Sequence, residues 1–131
     1  MIVEVKQQHI DNGTKGCPCY CAVSLAVYDA LKDRYKFTDS QSLDIDREEV
    51  LIGDSWIETA VCGSGAEISI YTKIRGIDSD MVVEDIIVIE DESPINSMSA
   101  IIVEDWIENF DTFDDSKPIS FKIEDIHRMN N

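Results

Sequence analysis

From Gly76 to Ser116 the chain carries 13 acidic residues and no basic one, yet it is not built like a disordered acidic tail. A block of like charges ordinarily repels itself and stays unfolded. Here the carboxylates are threaded through two apolar patterns. Val82 to Ile89 is a β-branched run suited to a strand, and residues 100–111 return apolar side chains at helical spacing. Ile102, Trp106 and Phe110 fall at i, i+4 and i+8, flanked by Val103 and Ile107, with Glu104, Asp105, Glu108 and Asp111 expected on the opposite face. Ser97 or Ser99 is available as the N-cap. A chain of this kind must bury a strand and a helix while holding a dense set of carboxylates in fixed positions.

The remaining segments supply what those two elements pack against. Residues 1–7 read as a strand, with Val3 and Val5 alternating with Glu4 and Lys6. The segment from His9 through Asn12-Gly13 to Lys15-Gly16 carries turn signals and reads as a loop. A helix is expected to start near Pro18, where a missing N–H is harmless, and to run from Tyr20 to Tyr35. It is apolar around most of its circumference, so it should lie at the centre. From Ser40 to Glu92 the period becomes two: Leu43 and Ile45, then Val50-Leu51-Ile52, Trp56 to Val61, Ile68 to Ile74 and Val82 to Ile89. Lys117-Pro118 leads to a last strand on which Ile119, Phe121 and Ile123 alternate with polar residues. The expected fold class is α+β, an antiparallel sheet of about five or six strands with two packed helices, in a single domain spanning residues 1–131.

At 131 residues and 44% hydrophobic content the chain can bury a real core, so its net charge of −16 is not a mark of disorder. Residues 1–75 hold 12 acids and 8 bases, and residues 117–131 hold 2 acids and 3 bases, so the imbalance is local to the middle block. Such a charge repels nucleic acid and anionic membranes, which excludes both as direct partners. Met1 to Lys6 lacks the basic and apolar regions of a signal peptide, and no apolar run reaches the length of a membrane span. The expectation is a chain that stays in a reducing cytoplasm with its four cysteines as thiols.

Chemistry-bearing motifs are sparse. Cys17-Pro18-Cys19-Tyr20-Cys21 is not the C-x-x-C spacing of a zinc site, and on a helix Cys19 and Cys21 would point apart. His9 precedes them and could activate a thiol, but no orienting group or oxyanion hole is recognisable. Asp44-x-Asp46 and Asp78-x-Asp80 lack the glycine and spaced glutamate of a calcium loop. Neither a P-loop, a dinucleotide glycine motif nor a serine-hydrolase elbow is present. The chain is therefore expected to be no enzyme, with no cofactor, no metal ligand and no catalytic residue.

Two stretches carry a resemblance. His9-Ile10-x-x-Gly13 followed by Cys21-Ala22-Val23-Ser24-Leu25-Ala26-Val27, and Val103-Glu104-Asp105-Trp106-Ile107-x-x-Phe110-Asp111 followed by Pro118-Ile119-Ser120-Phe121, resemble the two ends of small proteins of tailed phages and prophages. The chain departs from that pattern at Ala22, where the family has proline, and at Ile119, where it has phenylalanine. The resemblance implies a viral origin and a host-cell cytoplasmic location, and carries over no catalytic residue. Together with the acidic block it gives the expectation of an acidic inhibitor, of the anti-restriction, anti-CRISPR or anti-repair type. It would meet a basic, nucleic-acid-binding surface of a host protein and imitate a phosphate track. The expected contacts are Asp78, Asp80, Glu84, Asp85, Glu90, Asp91, Glu92, Glu104, Asp105, Glu108 and Asp111. The alternatives are a virion or morphogenesis accessory protein that binds another viral chain, and a cysteine-based metal or redox module.

Overall fold

The structure is a computed structural model that describes residues 1–38, 45–61, 63, 65–89 and 98–129. Its elements run β1 (Ile2–Val5), α1 (Gln7–Asn12), α2 (Ala22–Leu31), β2 (Ser55–Val61), β3 (Ala66–Arg75), β4 (Asp80–Ile89), α3 (Met98–Thr112) and β5 (Ile119–Arg128). The five strands form one antiparallel sheet in the order β1-β5-β4-β3-β2. The fold is α+β. No helix among the described residues is long and apolar enough to cross a membrane.

Alternation on the strands decides which sheet face is internal. Val3, Val5, Ile57, Ile68, Ile70, Ile87, Phe121 and Ile123 point to the main core, where they meet Ala22, Val23, Ala26, Val27 and Leu31 of α2. Each such aliphatic side chain contributes about 1.5–3 kcal/mol when withdrawn from water. Helix α2 touches β1 and β2, the two outermost strands, so the sheet curls around it. On the opposite face Trp56, Cys19 and Val50 form a smaller cluster, with Tyr71 stacked on Trp56 at 5.5 Å.

Three segments differ from their sequence expectation, each because of hydrogen bonds that propensity does not reveal. Helix α1 takes in Gln7, read as the end of the first strand, and residues 9–12, read as loop. His9 Nδ1 accepts the Lys6 N–H (2.9 Å), so the Nε2–H of the neutral ring faces Asp29 of α2 at 2.5 Å. Helix α2 starts at Ala22 rather than near Pro18, because Cys21 is its N-cap and the Pro18 carbonyl is taken by Ser24 Oγ (2.6 Å) and Thr59 N–H (3.0 Å). Val50-Leu51-Ile52 lies in a turn segment instead of a strand. Buried Lys73 holds that segment by donating to the Arg47 and Glu48 carbonyls at 3.0 and 3.1 Å. Leu43, offered as a strand residue, lies outside the described residues, as does Ser97 and the side chain of Ser99.

The β2 edge is closed at every outward-facing residue but its last. Ser55 N–H donates to the Lys36 carbonyl (2.8 Å), and the Ser55 carbonyl accepts from Thr38 N–H (2.9 Å). At Ile57 the Tyr28 hydroxyl accepts the N–H (2.9 Å) and reaches the carbonyl at 3.5 Å. Thr59 N–H is the one already used by Pro18. A bare edge invites pairing with another chain, so this closure protects the sheet. Tyr28→Phe should therefore cost about 1–3 kcal/mol, the penalty of a buried N–H left without its acceptor. Urea denaturation checks it; a loss below about 0.5 kcal/mol would mean that water replaces the hydroxyl.

Candidate functional site

The acidic helix α3 is fixed to the sheet by a carboxylate. Glu104 is buried, and its two oxygens accept the N–H groups of Gly63 (2.6 Å) and Gly65 (2.8 Å) in the β2–β3 turn. Gly65 has φ +130°, and a Cβ there would lie 2.9 Å from Ala100 Cβ, so a glycine is required at this approach. Drawing Glu104 inward turns the helix by one residue, about 100°. The buried stripe is consequently Val103, Ile107 and Phe110, and Ile102 is exposed, which corrects the expected stripe through Ile102 and Trp106. Trp106 is half-buried; its ring stacks on Phe110 at 5.6 Å and its indole N–H donates to the Lys117 carbonyl (2.7 Å).

The C-terminal end of α3 is closed by the loop before α2. Lys15 Nζ donates to the carbonyls of Phe110 (2.6 Å) and Phe113, pairs with Asp114 (3.1 Å) and sits 5.3 Å from the Phe110 ring centroid. A cation at the carbonyl end of a helix satisfies unpaired acceptors and offsets the helix dipole. Asp111 Oδ1 accepts Gly16 N–H (2.8 Å), so this residue anchors the loop while remaining exposed.

The expected contact residues are thus divided among separate places. Asp105 and Glu108 project from the outward face of α3 beside exposed Ile101 and Ile102, with Asp111, Asp114 and Asp115 following at its end. Asp78 and Asp80 sit at the β3–β4 turn, at the other end of the ten-residue strand β3 and hence on the order of 30 Å away. Glu84 lies on the outer sheet face and accepts from Ser69 Oγ (2.8 Å) and Tyr71 OH (3.4 Å). Asp85 is buried, accepting from Arg128 Nε (2.9 Å), Arg128 Nη2 (3.4 Å) and Tyr35 OH (3.1 Å). Asp85 and Glu104 are therefore internal ligands of the fold instead of surface contacts, a correction whose cause is their hydrogen-bond donors. Glu90, Asp91 and Glu92 lie outside the described residues. Sequence reasoning missed Lys15, Gly63 and Gly65; the pair of glycines one residue apart was the available signal.

The cysteine string is a loop of turns, so the helical-spacing argument about Cys19 and Cys21 does not apply to it. Cys21 Sγ accepts Ser24 N–H at 3.5 Å as the N-cap. Burial pushes its thiol up, against the Ser24 hydrogen bonds that lower it. The protonated thiol is a poor nucleophile. Among the described residues no group of three or more His, Cys, Asp or Glu side chains could hold a metal ion. Comparison with protein-family models, with curated proteins and with solved structures returns no match for this chain.

Two outcomes are expected. Glu104→Ala should cost about 3 kcal/mol, because it strips acceptors from two turn amides, whereas Glu108→Ala should stay within about 0.5 kcal/mol. Equal costs in urea denaturation would contradict this division of labour. Native Cys21 should resist iodoacetamide under alkaline conditions in which the unfolded chain is alkylated there. The unfolded thiol ionises first as pH rises, so the stability linked to it is present below its ordinary pKa and lost as pH climbs through the raised folded value. Peptide mapping by mass spectrometry reads the modification, and equal rates in both states would show an accessible thiolate.

Proposed function

We propose that this protein is a non-enzymatic viral inhibitor that acts in the host cell by binding a basic, nucleic-acid-binding surface of a host protein. Its contact surface is the outward face of α3 and the turn that follows, with Asp105, Glu108, Asp111, Asp114 and Asp115 as the charged contacts. The observation that carries this reading is the rigidity of the carriers. Glu104 ties α3 to Gly63 and Gly65, Lys15 closes its carbonyl end, and Val103, Ile107 and Phe110 fill the space beneath. Carboxylates on so fixed a helix lose little freedom on binding, which favours affinity without new contacts. Exposed Ile101 and Ile102 add an apolar component that a purely solvated face would lack. The β3–β4 turn acids are too distant to belong to the same small contact and are left out.

The test is capture of the host partner, followed by binding kinetics over a series of salt concentrations with the native chain and with Asp105→Lys combined with Glu108→Lys. Both positions are exposed, so the fold should survive. Complementary surface charges are screened within about 10 Å at 0.1 M salt, so affinity should fall steeply as salt rises. The double reversal should slow association more than it speeds dissociation, since long-range attraction acts on the encounter. A polynucleotide should compete for the same partner surface. Binding indifferent to salt and to both reversals would remove α3 as the contact and leave its charge as a solubility feature.

A further inference from the structure

The outer face of β3 buries a cation that no carboxylate matches. Ile68 and Ile70 point to the main core, so Ser69, Tyr71 and Lys73 alternate to the other side of the sheet. Lys73 is only 9% exposed. Its ammonium donates to the carbonyls of Arg47 and Glu48 at 3.0 and 3.1 Å. Asp46 fixes the turn that presents those carbonyls: its Oδ1 accepts the Glu48 N–H (2.9 Å) and its carbonyl accepts the Glu49 N–H (3.1 Å). An ammonium has three N–H donors. Among the described residues the third meets no acceptor, and no carboxylate pairs with Lys73. A buried charge balanced only by neutral carbonyls is costly, so an anionic group brought to it gains more than it would in open water.

Lys73 lines an open cavity of about 330 Å³ together with Arg47, Glu48, Asp80, Met81 and Val82. That is the small end of the range in which ligands are held, about 300–1,000 Å³. The Arg47 guanidinium is kept in place over the Tyr71 and Trp56 rings, 5.0 and 5.7 Å from their centroids, and pairs with Glu58 at 3.7 Å. Val82 is the cross-strand partner of Lys73. The lining thus holds two cations, two carboxylates and an aliphatic side. We infer that this cavity binds a small aliphatic amino acid as its zwitterion. The ligand carboxylate takes the third N–H of Lys73, with Arg47 as the second cationic neighbour. The ligand ammonium faces Glu48 and Asp80, and its side chain lies on Val82 and on Met81, which is exposed in the free protein. A simple anion is repelled by Glu48 and Asp80 and a simple cation by Lys73 and Arg47, so the mixed lining selects a molecule that carries both charges. Met81 adapts to aliphatic groups of different shape, which sets a class of ligand and not a single one. Asp80 stands at the end of the sheet remote from α3, so this inference does not rest on the function proposed above.

The probe is leucine, with leucinamide, which lacks the carboxylate, and N-acetylleucine, which lacks the ammonium, as controls. Each is titrated into the isotope-labelled native chain and followed by amide chemical shifts. Leucine should move the Glu48, Lys73 and Val82 amides saturably in the millimolar range, and each control should bind at least about tenfold more weakly. Lys73→Met keeps the aliphatic stem and removes the ammonium, and should abolish the leucine shifts. Lys73 also holds the 47–48 turn; if that variant does not fold, Glu48→Gln combined with Asp80→Asn decides instead. Both side chains are exposed and the Lys73 hydrogen bonds stay intact. The pair should weaken leucine about tenfold and leave N-acetylleucine unchanged. Leucine shifts that are absent, fail to saturate, lie away from the cavity or are matched by either control would overturn the inference. So would leucine binding that the paired variant leaves unaltered.

Discussion

Helix α2 has too little polar surface to leave in water, and most of the architecture is a solution to that constraint. Its buried residues, Ala22, Val23, Ser24, Ala26, Val27 and Leu31, cover more than one stripe of the helix. A flat sheet would cover only one. Curling the sheet until both β1 and β2 reach the helix buries the rest, and α1 closes a further side through His9 and Asp29. The polar groups drawn into this interior are matched locally: Ser24 binds the Pro18 carbonyl and Thr59, and Tyr28 serves Ile57. Buried polar groups are costly unless paired, so these few bonds fix where the helix sits along its axis.

The acidic excess has two uses rather than one. Glu104 and Asp85 work as internal acceptors, one for glycine amides and one for Arg128 and Tyr35. Asp105 and Glu108 take no part in holding the fold and stand in solvent. Neighbours in sequence thus have opposite fates, and charge density alone could not separate them. Among the described residues of the 41-residue block, Asp85 and Glu104 are withdrawn from the acidic surface. What remains on α3 is short, rigid and bordered by isoleucines.

The elements that the sequence made legible are those whose own periodicity dictates burial. The alternation on β3, β4 and β5 and the apolar run of α2 sufficed to give the α+β class and an antiparallel sheet of about the observed size. What escaped was decided by residues far away in the chain. Ile102 and Val103 are both aliphatic, so two stripes one residue apart fit α3 equally well; the glycine amides at 63 and 65 choose between them. A six-residue segment with Ile10 as its one apolar side chain does not make a helix alone, and α1 is held by His9 reaching Asp29 of α2. Val50-Leu51-Ile52 has strand composition, yet Lys73 pins the preceding turn by its carbonyls. Local propensity is a weak prior wherever such contacts intervene.

The sheet order places β5 between β1 and β4, although β5 is the last strand in the chain and β1 the first. The strand that joins β1 to the rest of the sheet is therefore made after the other four. Until it arrives, β1 has no strand to pair with, and the loop holding Lys15 must wait for Phe110 and Phe113 in the same way. A chain growing at about 5–20 residues per second passes several seconds in this incomplete state. Contacts of such long sequence separation also make the final closure slow compared with a helical bundle. Until β5 is made, β1 and the facing edge of β4 lie open, and the acidic block of residues 76–116 adds like-charge repulsion between neighbouring copies through that interval.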